Sequence, residues 1–400
     1  MKTTDRTPPT LLIGTWTRRM ALLTLAASAA CRQSALVGEM DPTLVPSTGG
    51  TTSAGTGGRA GITGITGGSN GTTEPGSVAG STTLTPQTAT GSSSSCTTIT
   101  TAPGVVNPCG HTFAVAYSPD GRYLAIGRAN TNPSVSVWRL ADGALLYELP
   151  GVNGETTYGV EFSPDGQILA TAGGNSVSFA KLWNASTGAL IRSLPVNTGN
   201  GWYNSATTFS HDGTLVATGG MEGAVEIWQV ADGARVTSFT IPTSVHNIHF
   251  SPDDSLLIAA LVDEKARFWQ VKTGAQVMTV DVADEQADAD FSPDAQQIAS
   301  TGYDVVRIWD KNGNLLQTLG GGHAAPISKT VWVDQNRLLS DDWSGVVNLW
   351  SRNAAGDFEL SATWSTGSQA MGLAVSPDKT GFVTGGQSST GGQGFVFFSL

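Results

Sequence analysis

One four-residue turn recurs along this chain, and its repetition constrains the fold more than any other feature. It reads Ser-Pro-Asp-Gly or a close variant, and it begins at residues 118, 163, 210, 251, 292, 333 and 376. Successive turns therefore lie 41 to 47 residues apart. A period of this size indicates an array in which each repeat is one supersecondary unit that buries its apolar face only against its neighbours.

Each unit contains four short strand patterns. Apolar and polar residues alternate before the turn, as at Val160 and Phe162, and a short apolar strand follows it. The third strand ends in an aromatic residue, and an Asp-Gly, Thr-Gly or Asn-Gly hairpin leads into the fourth. Four antiparallel strands repeated seven times can hide their edges when the sheets are arranged radially. The sequence therefore predicts an all-β, seven-bladed β-propeller.

The aromatic residue at the end of each third strand is predicted to anchor the core, because burial of a large ring at a fixed repeat position is what packing between blades requires. These residues are Trp138, Trp183, Trp228, Trp269, Trp309, Trp350 and Phe398.

These motifs resemble WD40 repeats, and the resemblance covers residues 111–400. Ile308-Trp309-Asp310 contains the family's Trp-Asp dipeptide, and Gly322-His323 matches its Gly-His. The resemblance implies a monomeric propeller that binds proteins or peptides. It also implies that the family's Asp-His-Ser-Trp network is mostly missing here, with Asp263 the best match for its aspartate.

In this family the N-terminal segment joins the last blade. We therefore expect Cys96–Thr101 to supply the outermost strand of blade 7, which places the propeller at residues 96–400.

Residues 1–31 resemble an export signal. Four basic residues precede an uncharged run, Met20–Ala30, that is too short to span a bilayer as a helix. Ala29-Ala30-Cys31 resembles the lipobox of bacterial lipoproteins, which predicts acylation of Cys31 and an outer-membrane lipoprotein. Simple cleavage with a periplasmic or secreted product and an uncleaved anchor remain alternatives, as do the general secretory and twin-arginine routes.

Residues 32–95 are dominated by Gly, Ser and Thr. Such a segment buries too little apolar surface to offset its ordering entropy, so it is predicted to be a flexible tether with a reach of about 40–50 Å.

Cys96 and Cys109 flank the predicted closing segment, and export permits disulfides. We hypothesise a bridge between them, worth about 3 kcal/mol in the chain-entropy model. Two unpaired buried thiols are the alternative.

The net charge of −11 argues against a nucleic-acid partner. The chain contains no His-Glu-x-x-His zinc-protease motif and no P-loop motif, and no catalytic residue, cofactor or metal is predicted. His246 and His249 fall on opposite faces of a strand and are predicted to be structural. The acidic stretch 281–290 is predicted to be a solvated rim rather than a calcium site.

Aromatic and acidic residues outside the repeat pattern are predicted to gather on one rim of the ring, where they resemble an interface. They are Trp202, Tyr203, Asp263, Glu264, Tyr303, Asp341, Asp342 and Trp343. Local packing against neighbouring blades is the alternative for the aromatic residues.

The leading hypothesis is an exported, lipid-anchored, non-catalytic scaffold that binds a protein or peptide. Similarity in architecture to bacterial propeller lipoproteins that escort outer-membrane proteins suggests a second hypothesis, a scaffold for envelope assembly. A propeller enzyme with its site in the central channel, lactone hydrolase-like or dependent on a metal or quinone, is the third.

Overall fold

All the secondary structure described by the computed structural model is β. The described residues are 98–104, 106–107, 110–129, 131, 133–149, 156–174, 179–196, 204–220, 223–261, 263–281, 288–366, 369–386 and 394–400. Within them, no helix has the length and apolar character needed to cross a membrane.

Seven four-stranded antiparallel sheets form the blades, numbered in chain order. Blades 1 to 3 consist of β2 (Thr112–Tyr117), β3 (Tyr123–Arg128), β4 (Val135–Arg139), β5 (Ala144–Leu149), β6 (Thr157–Phe162), β7 (Ile168–Gly173), β8 (Phe179–Asn184), β9 (Leu190–Leu194), β10 (Asn204–Phe209), β11 (Leu215–Gly220), β12 (Ala224–Gln229) and β13 (Arg235–Thr240). Blades 4 and 5 consist of β14 (Val245–Phe250), β15 (Leu256–Leu261), β16 (Lys265–Gln270), β17 (Gln276–Asp281), β18 (Ala289–Phe291), β19 (Gln297–Thr301), β20 (Val306–Asp310) and β21 (Leu315–Leu319). Blades 6 and 7 consist of β22 (Ile327–Asp334), β23 (Arg337–Asp342), β24 (Val346–Arg352), β25 (Phe358–Ser365), β26 (Gly372–Val375), β27 (Gly381–Gly385), β28 (Phe395–Ser399) and, from the other end of the chain, β1 (Val106–Asn107).

The ring is closed. The first strand of each blade lies beside the first strand of the next, and β26 of blade 7 lies beside β2 of blade 1. The first strands therefore surround a central channel. The prediction of a seven-bladed propeller is confirmed.

The hydrophobic core is divided among the seams between blades. A cluster of buried apolar side chains fills each of the seven seams. The six repeating tryptophans are at most 6% exposed, whereas Phe398 is only partly buried and stacks on Phe382. In blades 1 to 6 the third and fourth strands shift register at the tryptophan. The resulting bulge bends the strand locally at its aromatic anchor.

The N-terminal strand that closes blade 7 is not the one predicted. Val106 and Asn107 pair with Val396 and Phe395 of β28. Cys96 lies outside the described residues, and the described part of the Cys96–Thr101 segment lies against blade 1 instead. There the Ile99 N–H donates to the Gly143 carbonyl oxygen at 2.8 Å.

Apolar burial explains this difference. Ile99, the only large apolar residue of the predicted segment, is 3% exposed in the seam between blades 7 and 1, where it packs with Trp138 and Phe395. Asn107 folds the segment back on itself, because its side chain accepts from the Thr100 N–H at 2.6 Å and donates to the Thr100 carbonyl at 2.8 Å. The segment therefore seals a seam while β1 completes the sheet.

The repeated turns contact one another around one end of the ring. In the standard case the fourth residue is a glycine beside the proline of the preceding turn, as Gly166 is beside Pro119. Blade 4 carries Asp254 instead, at a φ of 58°, and blade 3 carries His211 in place of the proline. The Asp254 carboxylate accepts from the backbone N–H of His211 at 2.7 Å. The two departures from the repeat thus compensate each other.

Candidate functional site

Three consecutive hairpins between the second and third strands lie at the end of the ring opposite the repeated turns. They belong to blades 4, 5 and 6 and carry four of the predicted rim residues. Glu264 is exposed and Tyr303 is 49% exposed, whereas Asp263 and Trp343 are of intermediate exposure. The hairpins of blades 5 and 6 are anchored to the start of β22, since the Tyr303 carbonyl accepts from the Ile327 N–H and the Pro326 carbonyl accepts from the Trp343 N–H, both at 3.0 Å.

Several other predicted residues cannot be placed. Trp202 and Tyr203 lie outside the described residues, as do Cys31 and both cysteines of the hypothesised disulfide, Cys96 and Cys109.

Asp341 and Asp342, predicted on the rim, are instead fully buried in blade 6. They end β23 just before the exposed hairpin, where Asp342 contacts His323 and Asp341 contacts Ser328. They therefore contribute no exposed surface for a partner.

Asp342 belongs to the complete Asp-His-Ser-Trp network of this blade. Its Oδ2 lies 2.9 Å from His323 Nδ1, and His323 Nε2 lies 2.7 Å from Ser340 Oγ. The Trp350 indole N–H donates to the same Ser340 oxygen at 2.8 Å. Because a carboxylate accepts and an indole donates, the protons are satisfied when Nδ1 carries the histidine proton and Ser340 donates to Nε2.

Asp263 was the wrong match for the family aspartate. It pairs with Arg267 at 2.6 Å, at the edge of its blade. In blades 2, 3 and 5 the described residues show the last link of the network alone, in which the tryptophan donates to Thr171, Thr218 or Ser300. The prediction that most blades lack the network agrees with these contacts, but blade 6 has all of it.

The central channel brings a histidine and two carboxylates together. His249 Nε2 lies 3.1 Å from Asp288 Oδ1, and His249 Nδ1 lies 3.7 Å from Asp290 Oδ1. Burial alone would lower the pKa of His249, but Asp290 and Asp288 outweigh it and raise that pKa to about 9. His249 is therefore an imidazolium at neutral pH.

Asp288 links three blades. Its Oδ1 also accepts from Asn247 of blade 4 at 2.8 Å, and its Oδ2 accepts from the Thr330 N–H of blade 6 at 3.0 Å. Burial would raise the pKa of Asp288, but the bond from His249 and the nearby cations lower it below its usual value. This carboxylate is ionised, fully buried and bonded to the blades on both sides.

These contacts correct the prediction for the acidic stretch. Residues 282–287 lie outside the described part of the chain, but Asp288 has no exposed surface and Asp290 is largely covered. Neither carboxylate therefore belongs to a solvated rim. Among the described residues, no group of three or more His, Cys, Asp or Glu side chains could hold a metal ion.

Glu161 of blade 2 adds a further carboxyl group to the channel. It accepts from the Phe209 N–H of blade 3 at 3.2 Å. Burial raises the pKa of Glu161 to about 7, against the opposing field of His249. Lys329 of blade 6 lies near enough to act on Glu161, Asp288 and Asp341 through its charge.

No local spacing pointed to this cluster, because His249 and Asp288 belong to successive repeats. Equivalent positions of other blades carry residues such as Ala116 and Ala374, so the polar set is a departure from the repeat at first-strand positions. That departure is the signal that could have found it.

A comparison with protein-family models matches residues 189–229 to the family described as "WD domain, G-beta repeat". The matched stretch runs from the last strand of blade 2 to the third strand of blade 3. No curated protein matches the chain.

Proposed function

Since the chain is a WD40-repeat β-propeller, we propose that it is a non-catalytic scaffold that binds a protein or peptide on the rim formed by the hairpins of blades 4 to 6. Propellers of this family commonly act as protein-interaction scaffolds. The observation that carries the proposal is Tyr303, which is 49% exposed on the hairpin of blade 5, between the hairpins of blades 4 and 6 that carry Glu264 and Trp343. Aromatic side chains on a polar rim are the usual hot spots of protein interfaces.

The channel cluster is the observation that favours the enzymatic alternative, because it brings together a histidine and carboxylates. Yet both carboxylate oxygens of Asp288 accept hydrogen bonds from blades 4 and 6, and Glu161 accepts a hydrogen bond from a backbone N–H of blade 3. Hydrogen bonds of this kind hold neighbouring blades together. A scaffold is therefore the better supported function.

Replacing Tyr303 with alanine is expected to weaken partner binding at least tenfold, because a central interface tyrosine typically contributes 2 kcal/mol or more. The measurement is affinity capture from the envelope of the producing cell, followed by titration of the captured protein against wild type and variant.

Leu315→Ala is the matched control. Leu315 is 51% exposed and belongs to the same blade, but it lies on the outermost strand rather than on the rim. Equal binding by wild type, Tyr303→Ala and Leu315→Ala would place the interface elsewhere.

We further propose that the chain is exported and anchored through a lipid on Cys31. In a bacterial host fed a labelled fatty acid, the wild type should carry the label in the outer-membrane fraction and Cys31→Ser should not. When protein from the same preparation is denatured without reductant, Cys96 and Cys109 should resist alkylation until they are reduced. Equal labelling of both chains would contradict the anchor, and alkylation without reduction would contradict the disulfide.

A further inference from the structure

The carboxyl group of Asp341 stands at the seam between blades 6 and 7. It is fully buried, and two hydroxyl groups contact it. Ser328 Oγ is in hydrogen-bond contact with Asp341 Oδ1. The same Ser328 oxygen lies 2.9 Å from the carbonyl oxygen of Ala370, in the segment leading into blade 7. Thr384 Oγ1, on β27 of blade 7, lies 3.4 Å from Asp341 Oδ2.

The single hydroxyl proton of Ser328 determines the protonation state of Asp341. A hydroxyl group has one proton, and a carbonyl oxygen can only accept. If Ser328 donates to Ala370, the bond between Ser328 and Asp341 needs a proton on Asp341. An ionised Asp341 would compete with Ala370 for the single hydroxyl proton and would leave one buried acceptor without a donor, which is costly.

We propose that protonated Asp341, donating to Ser328 while Ser328 donates to the Ala370 carbonyl, is a pH-operated latch that holds blade 7 to blade 6. Blade 7 is the blade that the N-terminal strand β1 completes. The latch therefore acts on the element through which the ring is closed.

The charges around Asp341 agree with a neutral group. Burial raises the pKa of Asp341 to about 7, helped by the neighbouring Asp342 and by Asp288 of blade 5. The charge of Lys329, and donation from Ser328 to the carboxylate when Asp341 is ionised, oppose this rise. Within the described part of the chain, Asp341 forms no ion pair, and the carboxylate of Asp342 is engaged with His323. From the described residues of blade 7 and the segment leading into it, the Thr384 hydroxyl and the Ala370 carbonyl take part in this contact.

The direction of the pH effect follows from the two states of the seam. With the seam closed, Asp341 titrates near pH 7, and with the seam open and hydrated it returns to the ordinary aspartate range near pH 4. The equilibrium constant for opening the seam therefore increases up to about tenfold per pH unit as the pH rises from about 4 to 7. Above about pH 7 this constant levels off.

Hydrogen exchange tests the latch in the full chain. Between pH 5 and pH 7, after correction for intrinsic exchange rates, protection of residues 369–386 should fall at least about tenfold in the wild type. Asp341→Asn, whose amide can still donate to Ser328, should keep the protection of the acidic state at both pH values. Glu161→Gln is the control, because it removes the other carboxyl group that titrates near pH 7 but acts at the seam between blades 2 and 3.

A second measurement on the wild type does not depend on any variant's folding. A site-specific carboxyl-carbon NMR titration should show Asp341 protonated at pH 5.5 and losing its proton near pH 7. An Asp341 that is ionised throughout this range, or equal pH dependence of exchange in the wild type and Asp341→Asn, would overturn the latch.

Discussion

Replacing His323 with alanine is expected to lower the free energy of unfolding by about 3 kcal/mol. The substitution removes a ring that contacts both Asp342 and Ser340, and it leaves the buried carboxylate of Asp342 without that partner. The bonds of Asp342 to the Ser344 and Val346 N–H groups remain, so the hairpin should survive while the blade loosens. Denaturant unfolding of the purified protein measures the loss.

The chain provides a matched pair for this prediction. Ser340 in blade 6 and Ser300 in blade 5 occupy equivalent positions, and each accepts from a tryptophan indole at 2.8 Å. Only Ser340 also contacts a histidine. Ser340→Ala should therefore cost about 1–2 kcal/mol more than Ser300→Ala. Equal losses would show that the His323 and Asp342 part of the network contributes nothing to stability.

This network also shows what the sequence could predict. The turns, strand order and tryptophans follow from local chemistry at a fixed period, so the number of blades could be predicted from the sequence. The identity of the network aspartate could not be predicted, because Asp263 and Asp342 both lie at a hairpin after a second strand. They differ only in the side chain that contacts them. Asp342 has His323 from the preceding loop, whereas Asp263 has Arg267 on its own hairpin.

The closing strand and the channel cluster were missed for a different physical reason. Pairing with β28 depends on where Ile99 finds an apolar seam and on the bonds between Asn107 and Thr100, which no local pattern specifies. The channel cluster depends on side chains from blades 2, 4, 5 and 6 meeting across the ring. A one-residue difference in first-strand register would send His249 to the other face of its sheet.

Replacing Asp288 with alanine is expected to have the largest effect of any single change, a loss of about 3–5 kcal/mol in the free energy of unfolding at pH 6. The variant leaves the imidazolium of His249 buried beside a cavity, and it removes the acceptor for Asn247 and for the Thr330 N–H. Asp263→Ala is the control, since its partly exposed pair with Arg267 should be worth less than about 1 kcal/mol.

The pH dependence separates this cluster from the other titrating groups. The folded pKa of His249, about 9, lies above its unfolded value of 6.5, so its stabilisation is complete below about pH 6.5 and is lost as the pH rises through 9. The folded pKa of Asp288 is lowered, so its contribution is present above about pH 4 and is lost as the pH falls through that folded pKa.

Glu161 and Asp341 already carry their charge above pH 7.5. A decline in stability between pH 7.5 and 9.5 therefore reports on His249, and Asp288→Ala should flatten it. A variant that kept both its stability at pH 6 and this decline would show that Asp288 does not hold blades 4, 5 and 6 together.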